Sequence, residues 1–574
     1  MKLVKYFVVW LFGLLMVAMV AAYLIPLDAY IPEVEKAVGV QLQQPVSIRH
    51  LRFAVLPVPH LELKDVQLGV REKIVLESVA VEPGWLGLLA GRKMVRRIVL
   101  RKGVAPIAPM RQVWGWFVNT PVSAQSMRVR ELQFSGVSLM APGLVLGPIE
   151  GTVEFTPAGQ LERARLAANE QQVTATLLPQ LPPGTALQNR LFSVQVQARN
   201  WGVAQVPVDD LQLRGVLGER DFVAQKFAVV SRGMRIAGFG KVEFIDGWRV
   251  HAAVTRMEGP LEQVMALAGR SANVTGTLSA TGEFNAVAAT PLALKDDFLF
   301  AGDVTVSQAT VQMSTNSLHP LLFDEIRARF AVRPTELTLS GLDAKLYSGR
   351  LSGTASINRK DNVLTGEIVA TNIAMQPVAE AFTNKLLFTG SLESAGQFSA
   401  RLDTLERFPE GMQANGNFHL VNGVLTNVDL LQAARNPGKD YATGGATRFD
   451  DLTGLFTVDA GGYHFRKLKI ASGSLNAEGK VDISPDLQLA GMLDVDVKRT
   501  VGLVSMPMAV SGTLDSPVVT PSKSALAGAA VGTAILGPGL GTAAGIKIGG
   551  LLNKLMGRGS DKVRNKSVAP ARQQ

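Results

Sequence analysis

The chain has 574 residues, of which 47% are hydrophobic and 18% charged, with a formal net charge of +10 and no cysteine. Its length and apolar content allow several domains and argue against a disordered protein. The lack of cysteine excludes a disulfide-stabilised scaffold, thiol catalysis and any cysteine-ligated zinc or iron–sulfur site.

The mean hydropathy of +0.19 is high for a soluble protein, and its first source is an uncharged segment from Tyr6 to Leu27. At about 1.5 Å per residue, a helix of this length covers the roughly 30 Å hydrocarbon core of a bilayer. Lysines precede the segment and acidic residues follow it, so the positive-inside rule predicts a cytoplasmic N-terminus and an exported body. We predict a retained anchor that includes Tyr6, Trp10 and Leu27. A signal peptide cleaved near Val20–Ala22 is the alternative, and it exports the same body.

From about Val46 to Pro521 the chain consists of short alternating segments separated by Gly, Asn, Asp and Pro. Alternation with period two and turn residues roughly every 8 to 12 positions is typical of antiparallel β structure, with one apolar and one polar face. Helical periodicity is limited to short pieces such as Pro260–Leu267 and Pro377–Phe382, each with a proline suited to a first helical turn. The pattern predicts a mainly β body with short helices.

The body also repeats itself. Thr275–Phe284 and Thr389–Phe398 agree at five of ten positions, 114 residues apart. Phe222–Phe244, upstream of the first of these segments, corresponds to Leu337–Ile357, upstream of the second. Farther along the chain, Tyr463–Ile483 is a partial third copy of this hairpin. Such repeats predict an elongated body in which each unit buries its face against the next.

Three segments resemble the AsmA-like family of bacterial envelope proteins. Ile48–Gly69 is similar to the family's first strands after the anchor, with a Leu-Pro-x-Pro turn, and Leu337–Ile373 is similar to its internal strand pair. Gly416–Pro521 is the most specific segment, because its strand and turn patterns follow in family order. The resemblance covers the anchor and most of the body, and it is weakest over Ala108–Pro207.

The resemblance implies a single-pass protein of the bacterial inner membrane with a periplasmic β-groove lined by apolar side chains. It implies that the protein helps phospholipid or lipopolysaccharide reach the outer membrane. The family's motifs are strand and turn patterns, so the resemblance supplies no catalytic residues and implies no cofactor.

The expected fold is mainly β, with an N-terminal transmembrane helix, an elongated repetitive antiparallel β-groove, short helices and a Gly/Ala-rich C-terminal helical segment. The predicted divisions are a cytoplasmic tip and anchor (1–27), an N-terminal AsmA-like β region (28–207), a first β repeat unit (208–330), an AsmA-like C-terminal β region (331–522), and the Gly/Ala-rich segment with a basic tail (523–574).

Apolar residues at alternate positions of two strands are the candidates for the groove lining. They are Leu351, Ala355, Ile357, Leu475, Val481 and Ile483. An open groove that holds acyl chains and a filled sandwich core without ligand both fit these residues, because alternation does not distinguish them. Roughly half of the positive hydropathy lies outside the anchor, which together with the family resemblance favours the groove.

The positive charge is concentrated in patches on a mildly acidic body. One patch, the segment 92–102, holds six basic residues and no acid. These candidates for contact with anionic lipid headgroups are Arg92, Lys93, Arg96, Arg97, Arg101 and Lys102. The alternative is a solvated strand whose charges protect a sheet edge. Export and the lack of interleaved basic and aromatic residues argue against a nucleic-acid partner.

The second long uncharged stretch, Ser524–Ile546, is rich in Gly and Ala and contains Gly-x-x-x-Gly spacings that permit close helix approach. A helical hairpin and a loosely ordered cap before a disordered basic tail both fit it.

The sequence contains no motif of a hydrolase, zinc protease or nucleotide-binding loop, and its six histidines are scattered. We therefore predict a lipid-handling protein that is not an enzyme and needs no metal. The alternative is a scaffold or regulator of outer-membrane protein assembly and envelope composition, which binds envelope proteins through exposed β edges.

Overall fold

The structure is a computed structural model. It describes residues 27–523, apart from residues 43, 56–57, 70–72, 85–93, 107–127, 142–143, 158, 181–190, 204–205, 219, 245, 268–273, 313–317, 383–386, 405–410, 436–443 and 499–502. The predicted anchor residues Tyr6 and Trp10, the basic residues Arg92 and Lys93, and the Gly/Ala-rich stretch lie outside the described residues. None of the helices within the described part of the chain has the length and apolarity needed to span a membrane.

The prediction of a mainly β chain with few helices is confirmed, since the described residues form 28 strands. The α-helices are α1 (Ile31–Leu42), α2 (Leu261–Leu267), α3 (Met375–Glu380) and α4 (Leu430–Arg435). The described residues also form two short 3-10 helices, Leu27–Tyr30 and Pro291–Lys295. Helix α2 lies where the pattern Pro260–Leu267 predicted it, and α3 overlaps the predicted Pro377–Phe382 but begins two residues earlier, at Met375.

The first of two compact units comprises the chain up to Glu258 together with Glu283–Asp297. Its strands are β1 (Val46–Ser47), β2 (His50–Ala54), β3 (His60–Leu68), β4 (Ile74–Pro83), β5 (Met94–Pro106), β6 (Arg128–Ala141), β7 (Leu144–Phe155), β8 (Leu161–Ala168), β9 (Val173–Pro179), β10 (Phe192–Val203), β11 (Val206–Leu217), β12 (Asp221–Ser231), β13 (Met234–Glu243) and β14 (Trp248–Pro260). From β2 to β14 each strand pairs with the next, and β1 pairs with β3.

One strand pair of the first unit departs from the predicted antiparallel order. Strands β5 and β6 run parallel, with Leu100 opposite Phe134. Parallel neighbours need a long crossover connection, and the segment 107–127 between them is long enough to provide it. The alternation of apolar and polar residues did not predict the parallel direction of this pair, because side chains alternate in the same way in parallel and antiparallel strands.

The second unit comprises Gly259–Gly282 and the chain from Phe298 onward. The remaining strands are β15 (Val274–Ala288), which contributes to both units, β16 (Phe298–Val311), β17 (Leu321–Val332), β18 (Glu336–Leu346), β19 (Gly349–Asn358), β20 (Val363–Ala374), β21 (Ser391–Arg401), β22 (Met412–Thr426), β23 (Ala446–Asp459), β24 (Gly462–Ala471), β25 (Leu475–Ile483), β26 (Leu489–Lys498), β27 (Leu503–Thr513) and β28 (Ser516–Pro521). From β16 to β28 every strand pairs antiparallel with the next.

The repeat predicted from the sequence is present in the strand order. The hairpins β12–β13 and β18–β19 are each followed by a strand, a short helix and another strand, and β24–β25 is a third hairpin. In all three hairpins the register shifts at the same place in the first strand, between 224 and 227, 339 and 342, and 465 and 468. A β-bulge increases the local twist of a strand. The three repeats therefore share a twisted first strand, which sequence comparison did not show.

Candidate functional site

The register of the second unit places all six predicted groove residues on one face of its ladder. Directly paired residues share a face, and residues two apart in a strand share it too. One row crosses seven strands and contains Ala355, Gly366, Phe398, Ala414, Val458, Tyr463 and Ile483. A second row begins at Gly353 and ends at Val481, by way of Ile368, Gly396, Gly416, Phe456 and Phe465. We call this the apolar face.

The predicted groove residues differ in what covers them. Leu475 is only 2% exposed and lies in a core with Val495 and Met508. Helix α4 packs against β23, β26 and β28 and adds the buried Leu430 to that core. Val481 packs against the same core from its rim. At this end of the unit the apolar face is therefore a filled core.

Leu351 packs against a smaller buried cluster that contains Ile373, and Met375 and Val378 of α3 pack against the same cluster. Ala355, Ile357 and Ile483 belong to neither of these two clusters. They are half-buried, and strands β18, β19 and β20 make their main contacts only with their hydrogen-bonded neighbours.

We call the half-buried part of this face the open section. It is defined by Leu339, Ala355, Ile357, Leu364, Phe398 and Ile483. Burial raises the pKa of Tyr463, which is paired with Ile483 at the far end of the row, so the face keeps water from part of this ring. The half-buried residues of the open section on strands β18 to β21 cover roughly 14 Å at about 4.8 Å per strand, and the buried Ala414 and Val458 separate them from Ile483.

Phenylalanine rings on the apolar face lie opposite glycines of the next strand. Phe398 is paired with Gly366, Phe456 with Gly416, and Phe418 with Gly454. A Cβ atom on Gly366 would lie 2.8 Å from the Phe398 ring, inside van der Waals contact. The rings therefore cover main chain that has no side chain of its own, an arrangement that stabilises glycines in a sheet.

Because of this arrangement, Gly366→Val is expected to lower the free energy of unfolding by about 1–3 kcal/mol, the usual effect of overpacking. The added Cβ would meet the carbonyl oxygen of Thr354 at 2.6 Å as well as the Phe398 ring. Gly473→Ala is the matched control, since no atom lies within 4 Å of its Cβ position. Urea denaturation of both variants checks the prediction, which fails if they unfold alike.

The opposite side of the same strands is the polar face. One of its rows contains Thr354, Glu367, Gln397, Asn415, Thr457, His464 and Asp482. At its far end, His464 Nδ1 lies 2.7 Å from Asp482 Oδ1 and Nε2 lies 3.3 Å from Asp459 Oδ1. Arg466 Nη2 lies 2.6 Å from the same Asp482 oxygen. The hydrogen bond to Asp482 raises the pKa of His464, against the opposing effect of burial and with a smaller contribution from Asp459.

The raised pKa of His464 makes stability depend on pH. A group whose pKa is higher in the folded chain stabilises it fully below the unfolded value, about 6.5 for histidine, and loses this contribution as the pH rises through the folded value. At about pH 5.5 the native chain is expected to exceed His464→Gln in free energy of unfolding by about 0.5–1 kcal/mol, the range for partly exposed pairs. Urea denaturation at several pH values measures this difference in free energy of unfolding, which should shrink toward alkaline pH. A difference that grows as the pH rises would contradict a raised pKa of His464.

The described residues of the predicted basic patch lie in strand β5, and their charged groups differ in their surroundings. Arg97 Nη2 donates to Glu131 Oε2 at 3.0 Å, and its Nη1 lies 3.9 Å from Glu82. The hydrogen bond to Glu131 raises the pKa of Arg97. Arg97 therefore links three adjacent strands. Lys102 lies 3.5 Å from the exposed Glu77, and Arg96 and Arg101 are exposed.

The chain that follows the predicted anchor is attached by two carboxylates, one bonded to strand β2 and one bonded to Ile48 between β1 and β2. Asp28 Oδ1 accepts a hydrogen bond of 2.8 Å from the Leu51 amide, and Glu35 Oε1 accepts one of 2.7 Å from the Ile48 amide. The bond from Leu51 is the main reason why the pKa of Asp28 is lowered. Leu27 packs against the adjacent core. From the sequence, Asp28 and Glu35 were interpreted only as charges that follow the anchor.

The register relates this attachment to the basic residues. Leu51 is opposite Leu63, which is opposite Val79, which is opposite Leu100. Arg101 and Lys102 therefore lie roughly 3–7 Å along the strand from the level of the attachment, whereas Arg96 and Arg97 lie roughly 10–13 Å from it in the opposite direction, at about 3.3 Å per residue.

Together these faces offer hydrophobic contact on one side of the ladder and hydrogen bonds and ion pairs on the other. No group of three or more His, Asp or Glu side chains within the described ranges is arranged to hold a metal ion. No family model, curated protein or solved structure matches this chain.

Proposed function

We propose that this protein handles lipid in a bacterial envelope and assists the transfer of phospholipid or lipopolysaccharide between the inner and outer membranes. The observation that supports the proposal is the open section of the apolar face, where Ala355, Ile357 and Ile483 are half-buried and outside the clusters under α3 and α4. An apolar surface that the protein itself leaves partly uncovered is typical of a binding site. The resemblance of segments 48–69, 337–373 and 416–521 to the AsmA-like family supports the choice of lipid.

The mechanism is passive. An acyl chain lies across the strands along the rows that contain Ala355 and Ile357, and the headgroup stays in water. Each methylene group that leaves water contributes about 0.8 kcal/mol, and equal contributions along the row let the chain slide. Direction comes from partner proteins or from lipid gradients, since the sequence carries no energy-coupling motif.

The same proposal places the protein in the inner membrane by the segment Tyr6–Leu27, with the N-terminus in the cytoplasm and the body in the periplasm. Arg101 and Lys102 then contact anionic headgroups, because along β5 they lie closer to the level of the Asp28 attachment than Arg96 and Arg97 do. Arg97 is assigned a different role, since its guanidinium is held between Glu82 and Glu131.

Photo-crosslinking tests the proposal. A photoreactive residue is placed at Ile357 or Ile483 in the full chain, with Thr457, exposed on the polar face, as the matched control. The expected result is phospholipid or lipopolysaccharide adducts at the first two positions and none at Thr457. Adducts with protein alone would overturn lipid handling in favour of a scaffold.

A further inference from the structure

A cavity of about 570 Å³ opens on the second unit over strands β18 to β22. Its wall includes the first four residues of the polar row, Thr354, Glu367, Gln397 and Asn415. The neighbouring row on the same face adds Ser356, Thr365, Ser399 and Gln413. The main chain between the two rows forms the floor, because the intervening side chains lie on the apolar face.

The cavity differs in charge from the polar face on both sides of it. Glu367 is the one ionisable side chain in its lining, and its register partners Thr354 and Gln397 are neutral. On one side, Glu325 pairs with Arg327 and Lys345 at 2.7 and 3.0 Å. On the other side lies the cluster around His464 described above. Within the described residues, ion pairs thus flank a depression in which the lining side chains of the polar face are hydroxyls and amides around a single carboxylate. Leu339, Ala355, Gly366 and Phe398, which lie between these side chains along the strands, also line it.

The hydrogen-bonding groups of the lining define a ligand. Hydroxyls donate and accept, amides do both from two atoms, and a carboxylate accepts at two oxygens. Some of this capacity is used internally, since Gln397 Nε2 donates to Asn415 Oδ1 at 3.3 Å and Ser356 donates to Glu336 at 3.1 Å. Thr365 and Gln413, both exposed, face the cavity from the second row.

We infer that this cavity binds a neutral linear oligosaccharide. Vicinal sugar hydroxyls donate hydrogen bonds to the Glu367 carboxylate. The remaining sugar hydroxyls match the hydroxyl and amide side chains of the lining, which both donate and accept. A phosphorylated or sulfated ligand is disfavoured, because anion sites rely on Arg or Lys and the lining holds a carboxylate and no cation. The cavity spans five strands, about 19 Å, which suits an elongated chain lying across them.

Titration calorimetry on the purified full-length protein in detergent tests the inference. The probes are chitohexaose, cellohexaose and maltohexaose, with a heparin hexasaccharide as the charged comparison. At least one neutral probe is expected to bind with a Kd at or below the millimolar range, and the heparin probe is expected not to bind. Glu367→Gln, which keeps the shape of the side chain, should weaken binding at least tenfold, and Asn415→Ala should weaken it as well.

Lys469→Ala is the matched control, since Lys469 is exposed on the polar face and paired with Glu478 outside the cavity. It should bind the neutral probe like the native chain. The inference is overturned if no neutral probe binds, if the heparin probe binds as well as the neutral ones, or if Glu367→Gln and Lys469→Ala bind alike. It stands apart from lipid handling, because substitutions at Ile357 and Ile483, which do not line the cavity, should leave sugar binding unchanged.

Discussion

Leu475→Ala is expected to lower the free energy of unfolding by about 2–5 kcal/mol, the cost of removing a large apolar side chain from a filled core. Leu475 is 2% exposed, Val495 and Met508 beside it are fully buried, and Leu430 of α4 completes the enclosure. The cavity left by the substitution has well-packed neighbours on every side, so little of it can collapse. Hydrogen exchange of β25 and β26 in increasing urea measures the loss within the second unit.

Leu455→Ala is the matched control for this substitution. Leu455 is 41% exposed and lies on the polar face, opposite Asn417. Its truncation should change the free energy of unfolding by about 0.5 kcal/mol or less. Similar losses in free energy of unfolding for the two variants would show that Leu475 does not lie in a filled core, and would make it a candidate for the groove lining again.

Glutamate at both Ile357 and Ile483 is expected to reduce phospholipid transfer between vesicles at least tenfold while the protein remains folded. Both side chains are half-buried in the open section, so a carboxylate there can reach water in the lipid-free protein. An acyl chain on the same rows would bury that charge, which costs several kcal/mol when no partner is present. Transfer of a fluorescent phospholipid by the reconstituted full chain measures the effect, and circular dichroism reports the fold.

Two controls separate the possible causes. Leucine at Ile357 and Ile483 keeps the apolar surface and should retain transfer. Thr457→Glu adds a charge on the polar face and should also retain transfer. Unfolding of the double glutamate variant would assign both residues to a core, and unchanged transfer would remove lipid from the open section.

The sequence by itself determined which residues share a face. Period-two alternation placed Leu351, Ala355 and Ile357 on one side of β19, and alternation depends only on the local geometry of a strand. The short helices α2 and α3 and the hairpin repeats were also predictable, since prolines and turn residues act within a few positions.

Only the tertiary structure decided which of these apolar residues are covered. Leu475 and Ile357 have the same alternating pattern, but α4 and strands β26 to β28 enclose the first while the second stays half-buried. The cavity around Glu367 is likewise assembled from five strands, and Arg97 meets its partners on two others. Burial and pairing of this kind depend on contacts between residues far apart in the chain, which no local pattern records.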